Sequence, residues 1–243
     1  MTHKYSNAII FSFLLLICLV KSVSAITADQ IFKNFKKSYD TSKNFSANFE
    51  ETTYREDTKS VAKGKLIFAK PNLLYKKYID RNDSKRLVQL IVIDGKISWS
   101  YVPLLNQVTK LKLKDKNKQL IPGIGGTLEE LKKTYNMKLI EDKVAKSKGV
   151  YHIELSPKDQ AKPNSDPKKQ LTESIEVWIR SKDWIPVQFS YKSESKVAGD
   201  MTIVISFRKI KIDQKLPKST FVFEVPKGAE VIDISDENSS QQK

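Results

Sequence analysis

The stretch LVQLIVIDGKISWSYV, residues 87–102, decides the fold class. Two runs rich in β-branched and aromatic residues flank Asp94-Gly95. Asp-Gly between such runs predicts an antiparallel hairpin, because both central residues of a type I′ turn need φ > 0. On the second strand Ile97, Trp99 and Tyr101 share one face, while Ser98 and Ser100 take the other. An aromatic stripe of that size requires cover. The first strand is apolar on both faces, Ile91 and Ile93 alternating with Val88, Leu90 and Val92, which predicts a central strand rather than an edge.

Upstream of the hairpin, residues 64–70 and 73–79 read as two more strands around Pro71-Asn72. Phe45, Ala47 and Phe49 alternate with Ser46, Asn48 and Glu50 as a half-buried strand. Ahead of these, Thr27 or Asp29 caps a short amphipathic helix with Ile31, Phe35 and Tyr39 at helical spacing and Phe32 beside them. Downstream, a strand over 107–113 sets Leu111 and Leu113 opposite Lys110 and Lys112. Residues 119–135, QLIPGIGGTLEELKKTY, then hold Gly123, Gly125, Gly126 and Pro122 before a helix start at Thr127 with Glu130 at its third position. Neither the dinucleotide nor the P-loop spacing is met, so this reads as an apolar flap whose Leu120, Ile121, Ile124, Leu128 and Leu131 want cover. Strands resume near 137–140 and 150–155. Three amphipathic strands follow, carrying Ile175, Val177 and Ile179, then Ile185, Val187, Phe189 and Tyr191, then Met201, Ile203, Ile205 and Phe207. A polar loop over 158–170 precedes them, an ordered run is expected over 220–231, and residues 235–243 read as a disordered tail. No internal repeat or domain boundary is visible.

The chain opens with Lys4, an apolar run over 8–20 and Val23-Ser24-Ala25, the pattern of an export leader cleaved after Ala25. The run falls short of the roughly 20 residues a spanning helix needs. The one cysteine, Cys18, lies inside this leader, preceded by Ile17 where a lipidation signal wants a small residue, so no lipid anchor is expected. Beyond Ala25 there are no thiols, which excludes disulfides and thiolate metal sites and leaves the core to hold the fold. Of the formal net charge of +15 only two lysines fall in the leader. The remaining lysines are scattered, without an arginine-rich arm or a nucleic-acid motif, and read as a solvated basic surface, with weak attraction to anionic lipid or to acidic partner surfaces as the alternative. His152, the single histidine past the leader, shares a strand face with Val150 and Glu154 and is expected on the solvent side. It has no nucleophile elbow to serve, so neither a Ser-His-Asp site nor a His-rich metal site is supported. No enzyme and no cofactor is expected.

What stands out is an imbalance between apolar strand faces and cover: roughly ten strands against two short helical segments. Two sheets packed as a sandwich would resolve it, and so would one curved sheet partly closed by helices. Periodicity leaves both open.

The order and spacing of several pieces resemble the periplasmic outer-membrane lipoprotein carriers of the LolA family. They are FSANFE at 45–50, residues 64–68, KPNLLY at 70–75, IDGK at 93–96 leading to WSYVP at 99–103, Gln107-Val108, and FVFEVPKG at 221–228. The resemblance implies a mainly β fold, an incomplete antiparallel barrel with a short helical lid over an apolar concave face, formed by residues 26–234 as one carrier domain. It further implies acylated lipoproteins as cargo, an inner-membrane ABC-type lipoprotein-releasing complex as donor and an outer-membrane lipoprotein acceptor, with no nucleic acid, no stable membrane insertion, and a monomer in the periplasm. The cavity candidates are Phe49, Leu66, Phe68, Ile91, Ile93, Trp99, Tyr101, Val177, Phe189 and Ile205, with lid contacts from Leu120, Ile121, Ile124, Leu128 and Leu131. Lys70 stands where family members commonly carry an arginine that holds the lid shut, and is the expected lid lock. A general hydrophobic-ligand or glycolipid binder of the same fold, or a LolB-like acceptor, are the competing readings.

Overall fold

A computed structural model of the chain describes residues 26–113, 128–158, 171–195 and 199–235. The expected leader with Cys18, the Gly-rich entry to the flap, the 158–170 loop past Lys158 and the tail past Ser235 lie outside the described residues. Ser235, expected in that tail, accepts a hydrogen bond on its hydroxyl from the Lys112 N–H at 2.9 Å.

Thr27 and Gln30 form a reciprocal capping box that starts α1 (Ala28–Thr41), and Ser42 ends it. Its buried positions are Ile31, Phe32 and Phe35, one face of a 3.6-residue period. Six strands follow: β1 (Asn44–Arg55), β2 (Thr58–Ala69), β3 (Leu73–Ile79), β4 (Leu87–Asp94), β5 (Ile97–Val102) and β6 (Gln107–Lys112). Next come α2 (Leu128–Thr134), β7 (Tyr135–Ile140), α3 (Lys143–Ser147), β8 (Val150–Pro157), β9 (Leu171–Arg180), β10 (Ile185–Ser195), β11 (Met201–Ile212) and β12 (Glu230–Asp233). Asp142 caps α3, a one-turn helix that no period in the sequence predicts.

These strands form one twelve-stranded sheet in the order β12-β6-β5-β4-β3-β2-β1-β11-β10-β9-β8-β7. Two meanders, β1 to β6 and β7 to β11, meet where β11 pairs with β1. The sheet does not close, and β12 and β7 are its edges. The fold is therefore the mainly β open sheet expected, with one correction: β12 runs parallel to β6. Much of the run expected over 220–231 is unpaired, with a 3-10 turn at Lys218–Phe221 ahead of β12.

The hairpin of residues 87–102 is present, but its turn lies one residue later than expected. Ile93 pairs with Ser98, so Gly95 and Lys96 are the central residues, and Gly95 takes the positive φ of +92°. The Asp94 carboxylate accepts from the Lys96 and Ile97 N–H groups at 2.8 Å each, fixing that register.

Directly paired residues of neighbouring strands share a face. On the inner face Phe207, Phe49 and Gly64 fall in one row, and Ala47, Leu66, Lys76 and Ile91 in another. α1 and α2 cover this face: Ile31, Phe32, Phe35 and Leu131 share one core cluster with Phe49, Leu66, Ile153, Leu155, Val177, Ile179, Phe189, Ile205 and Phe207. At Gly64 a Cβ would lie 1.9 Å from the Lys77 carbonyl oxygen and 2.8 Å from the Phe49 ring, so only glycine lets these strands approach so closely. The 3-10 turn touches β3 and β4 on part of the outer face, and on β5 Phe223 stacks on Trp99 at 5.4 Å.

Candidate functional site

The inner face is chemically divided. Across β7 to β11 it carries buried aliphatic and aromatic side chains such as Ile153, Leu155, Val177, Phe189 and Ile205. Across β3 to β5 it carries polar groups as well: Lys76, Tyr78, Gln89, Ser98 and Ser100, with Gln89 donating to the Ser100 hydroxyl at 2.9 Å. A surface that buries mostly apolar groups on one half and keeps more hydrogen-bonding groups on the other can take an amphiphile.

Phe49, Leu66, Phe68, Val177, Phe189 and Ile205 of the expected lining are all buried on the inner face. Ile91 and Ile93 share that face through their pairing with Lys76 and Leu74. Trp99 and Tyr101 do not. Trp99 pairs with Val92, and Tyr101 with Leu90, on the outer face. The physical reason is parity: a two-residue turn pairs residues whose numbers sum to an odd value, so Trp99 cannot share a face with Ile91 or Ile93. The aromatic stripe is covered, as its size requires, by Phe223 rather than by cargo.

Of the expected lid contacts, Leu131 is buried in the core from α2, and Leu128 lies in the same helix. Leu120, Ile121 and Ile124 lie outside the described residues. The element over the centre of the inner face is α1, whose Phe35 is 2% exposed and packs edge-to-face against Phe32 and Tyr39. Helical spacing had placed Ile31, Phe32 and Phe35 on one stripe, but nothing in it says which sheet they cover. Beneath the second half of α1 is a small apolar cavity of about 50 Å³ between Phe35, Tyr39, Phe45, Phe68, Phe189 and Phe207.

Polar contacts from Lys70 and from Ser38 hold this half of α1 down. The Lys70 ammonium donates to the Asp40 carbonyl at 2.8 Å and lies 4.8 Å from the centre of the Tyr39 ring. A cation on the last carbonyls of a helix is favourable for the helix dipole as well. Burial pushes the Lys70 pKa down, and the nearby Asp40 and Asp213 carboxylates partly offset this. On the other side, the Ser38 hydroxyl donates to the Asp183 carbonyl at 2.8 Å. Lys70 thus sits on α1.

Sequence reading missed the group at the boundary of the two halves. Lys76 Nζ lies 2.9 Å from the Glu51 carboxylate, with both side chains about one-fifth exposed, and is 4.7 Å from the Phe49 and Tyr78 ring centres. The Tyr78 hydroxyl is 3.3 Å from the same carboxylate. Burial by itself pushes the Lys76 pKa down, but Tyr78 and Glu51 outweigh it and hold it above the ordinary lysine value. Burial raises that of Tyr78. The signal was available in β3, where Lys76 alternates onto the face of Leu74 and Tyr78. Tyr191, further along the inner face, has a buried hydroxyl without a hydrogen-bond partner among the described residues.

His152 is on the outer face as expected, yet it is largely covered. Its ring stacks on Trp178 at 4.1 Å, between the carboxylates of Glu176 at 3.2 Å and Asp142 at 3.5 Å. Among the described residues no three His, Asp or Glu side chains are placed to hold a metal ion.

An open, mainly antiparallel sheet whose apolar inner face is covered by a capped amphipathic helix defines a β-sheet-and-lid binding protein. Residues 40–224 match the model of the family described as outer membrane lipoprotein carrier protein LolA, and the chain belongs to that family. An outer-membrane lipoprotein carrier protein of Aeromonas salmonicida is 31% identical over 193 residues, 78% of this chain and 82% of that protein. One of Pseudomonas putida is 27% identical over 216 residues, 87% of this chain and 92% of that protein. Among solved structures, an uncharacterized conserved protein of Thermus thermophilus shares the fold at 13% identity and a TM-score of 0.50, covering 85% of this chain and 98% of its own.

Proposed function

We propose that this protein is a periplasmic carrier that takes the acyl chains of lipoproteins leaving the inner membrane and delivers them to an outer-membrane acceptor. The observation that carries the reading is the continuous apolar half of the inner face, covered by the amphipathic helix α1. Each exposed methylene of an acyl chain costs about 0.8 kcal/mol in water, so a soluble carrier must offer such a face and must be able to uncover it. The 50 Å³ under α1 is on the order of two water molecules' share of liquid volume, far less than one acyl chain. Loading therefore requires α1 to move away from Phe45, Phe68, Phe189 and Phe207. The carrier makes and breaks no covalent bond in this reading, needs no cofactor, and its domain is residues 26–234 after removal of the leader.

The test is binding of a synthetic triacylated lipopeptide, compared with a glycolipid of equal chain length, to the purified chain. Saturable lipopeptide binding that displaces an apolar fluorescent probe is the expected result. Preference for the glycolipid would make the chain a glycolipid binder of the same fold. Absence of any acyl binding would overturn the carrier reading, and a lipid-modified chain in an intact-mass spectrum would point to an anchored acceptor.

A further inference from the structure

The positive charge is not spread evenly over the outer face. Arg208, Asn48, Lys65 and Lys77 are direct neighbours in one row across β11, β1, β2 and β3. Strand spacing makes the row span about 14 Å. Lys65 and Lys77 are a directly opposed like-charge pair, an arrangement that destabilises a sheet unless an anion joins it. In the next row Lys63 pairs with Glu50 at 3.2 Å, which uses the carboxylate at hand. Among the described residues, Lys65, Lys77, Arg208 and Lys209 have no ion-pair partner.

Backbone irregularity adds to the concentration. Between Ser46 and Asn48 the register of β1 against β11 shifts, and Lys209 takes a left-handed φ of +52°. A regular strand would send Arg208 and Lys209 to opposite faces. The bulge instead lets both line one cleft, at the conformational cost a non-glycine residue carries there. That cleft has a volume of about 470 Å³ and is lined by the cations named, together with Asn48, Glu50 and Ile79. It is within the size range of a discrete small-ligand site, roughly 300–1,000 Å³. On the same face of the next strand are Leu90, paired with Lys77, and Val88, which is 45% exposed.

We infer that this cleft is a binding site for the phosphate-bearing headgroup of an anionic phospholipid, through which the outer face docks reversibly on a membrane surface. Four unpaired cations match a phosphodiester and its surroundings, and the apolar lip of Ile79, Val88 and Leu90 matches the boundary between headgroups and acyl chains. Docking by the outer face leaves the inner face and α1 free, so it does not depend on what the inner face carries.

The experiment is co-sedimentation of the full chain with vesicles of phosphatidylcholine alone and of phosphatidylcholine mixed with phosphatidylglycerol, at low and high salt. Binding to the mixed vesicles only, lost at high salt, is expected. Lys65→Gln with Lys77→Gln should weaken it roughly thirtyfold, about fivefold per cation. Lys143→Gln with Lys146→Gln, an equal loss of charge on α3, should weaken it far less. Lys65→Glu separates binding from folding: it converts the like-charge pair into an attractive one, so the melting temperature should rise while vesicle binding falls. Equal losses in the two double variants would overturn the site in favour of diffuse charge. Binding of glycerol phosphate without binding of mixed vesicles would overturn the membrane as its source. Binding of polyglutamate as tight as that of the mixed vesicles would overturn it in favour of an acidic protein partner.

Discussion

Replacing Lys70 by methionine should open the inner face without unfolding the protein. Methionine keeps the unbranched stem but removes the donor to the Asp40 carbonyl and the cation over Tyr39. A hydrogen bond from a charged donor contributes about 1.5–3 kcal/mol and an exposed cation–π contact about 0.5–1 kcal/mol. Lys70 is only partly buried, so solvent screening reduces the sum to about 1–2 kcal/mol. The loss falls on the closed state alone, because Lys70 reaches Asp40 only when α1 is seated. The open population should therefore grow about 5–30-fold. Where the open form is the minor one, the apparent affinity for an apolar probe rises by the same factor, since apparent Kd is the intrinsic value divided by the competent fraction. Fluorescence titration of such a probe reads this directly, and amide exchange across α1 should quicken in parallel. Arginine at the same position, with five donors on a rigid fork, should act in the opposite sense and weaken probe binding. Unchanged probe affinity and unchanged α1 exchange in Lys70→Met, at equal melting temperature, would refute the lock.

Trp99→Ala should cost about 3 kcal/mol of stability through the lost stack on Phe223 and the space it leaves, yet leave probe affinity unchanged, because Trp99 lies on the outer face. Denaturant melts beside the same titration check this, and a selective loss of probe binding would return Trp99 to the cavity. Gly64→Ala should destabilise by about 3 kcal/mol or more, since the added methyl meets the Lys77 carbonyl and the Phe49 ring, read as a drop in the denaturation midpoint. Lys76 and Tyr78 both bind their protons more tightly folded than unfolded. Their contribution is intact below the ordinary pKa values and is lost as pH rises past about 10 through the folded ones, so stability should fall in alkali, read as a falling denaturation midpoint as pH is raised.

Within each element the sequence by itself determined a great deal. The period of two in FSANFE and in WSYV sorts residues onto two faces, and the period in Ile31, Phe35 and Tyr39 marks one helix stripe. Thr27 and Gln30 mark where that helix begins. These are properties of a chain segment a few residues long, and backbone geometry enforces them wherever the segment sits. The class followed as well, since many half-apolar strands with few helices leave only a sandwich or a covered sheet. Tertiary structure alone decided between those two, because the choice depends on β11 returning to pair with β1 across some 150 intervening residues. It also decided how the faces of different elements coincide. The hairpin is the exception, since any two-residue turn there, at Asp94-Gly95 or at Gly95-Lys96, puts Trp99 and Tyr101 opposite Ile91 and Ile93. Sheet order brought Glu51 to Lys76 and α1 to Lys70. A single bulge brought Arg208 and Lys209 to the same cleft as Lys65 and Lys77. Local periodicity fixes a side chain relative to its own backbone, whereas a site is a relation between backbones, set by register, and one residue of slip reverses it.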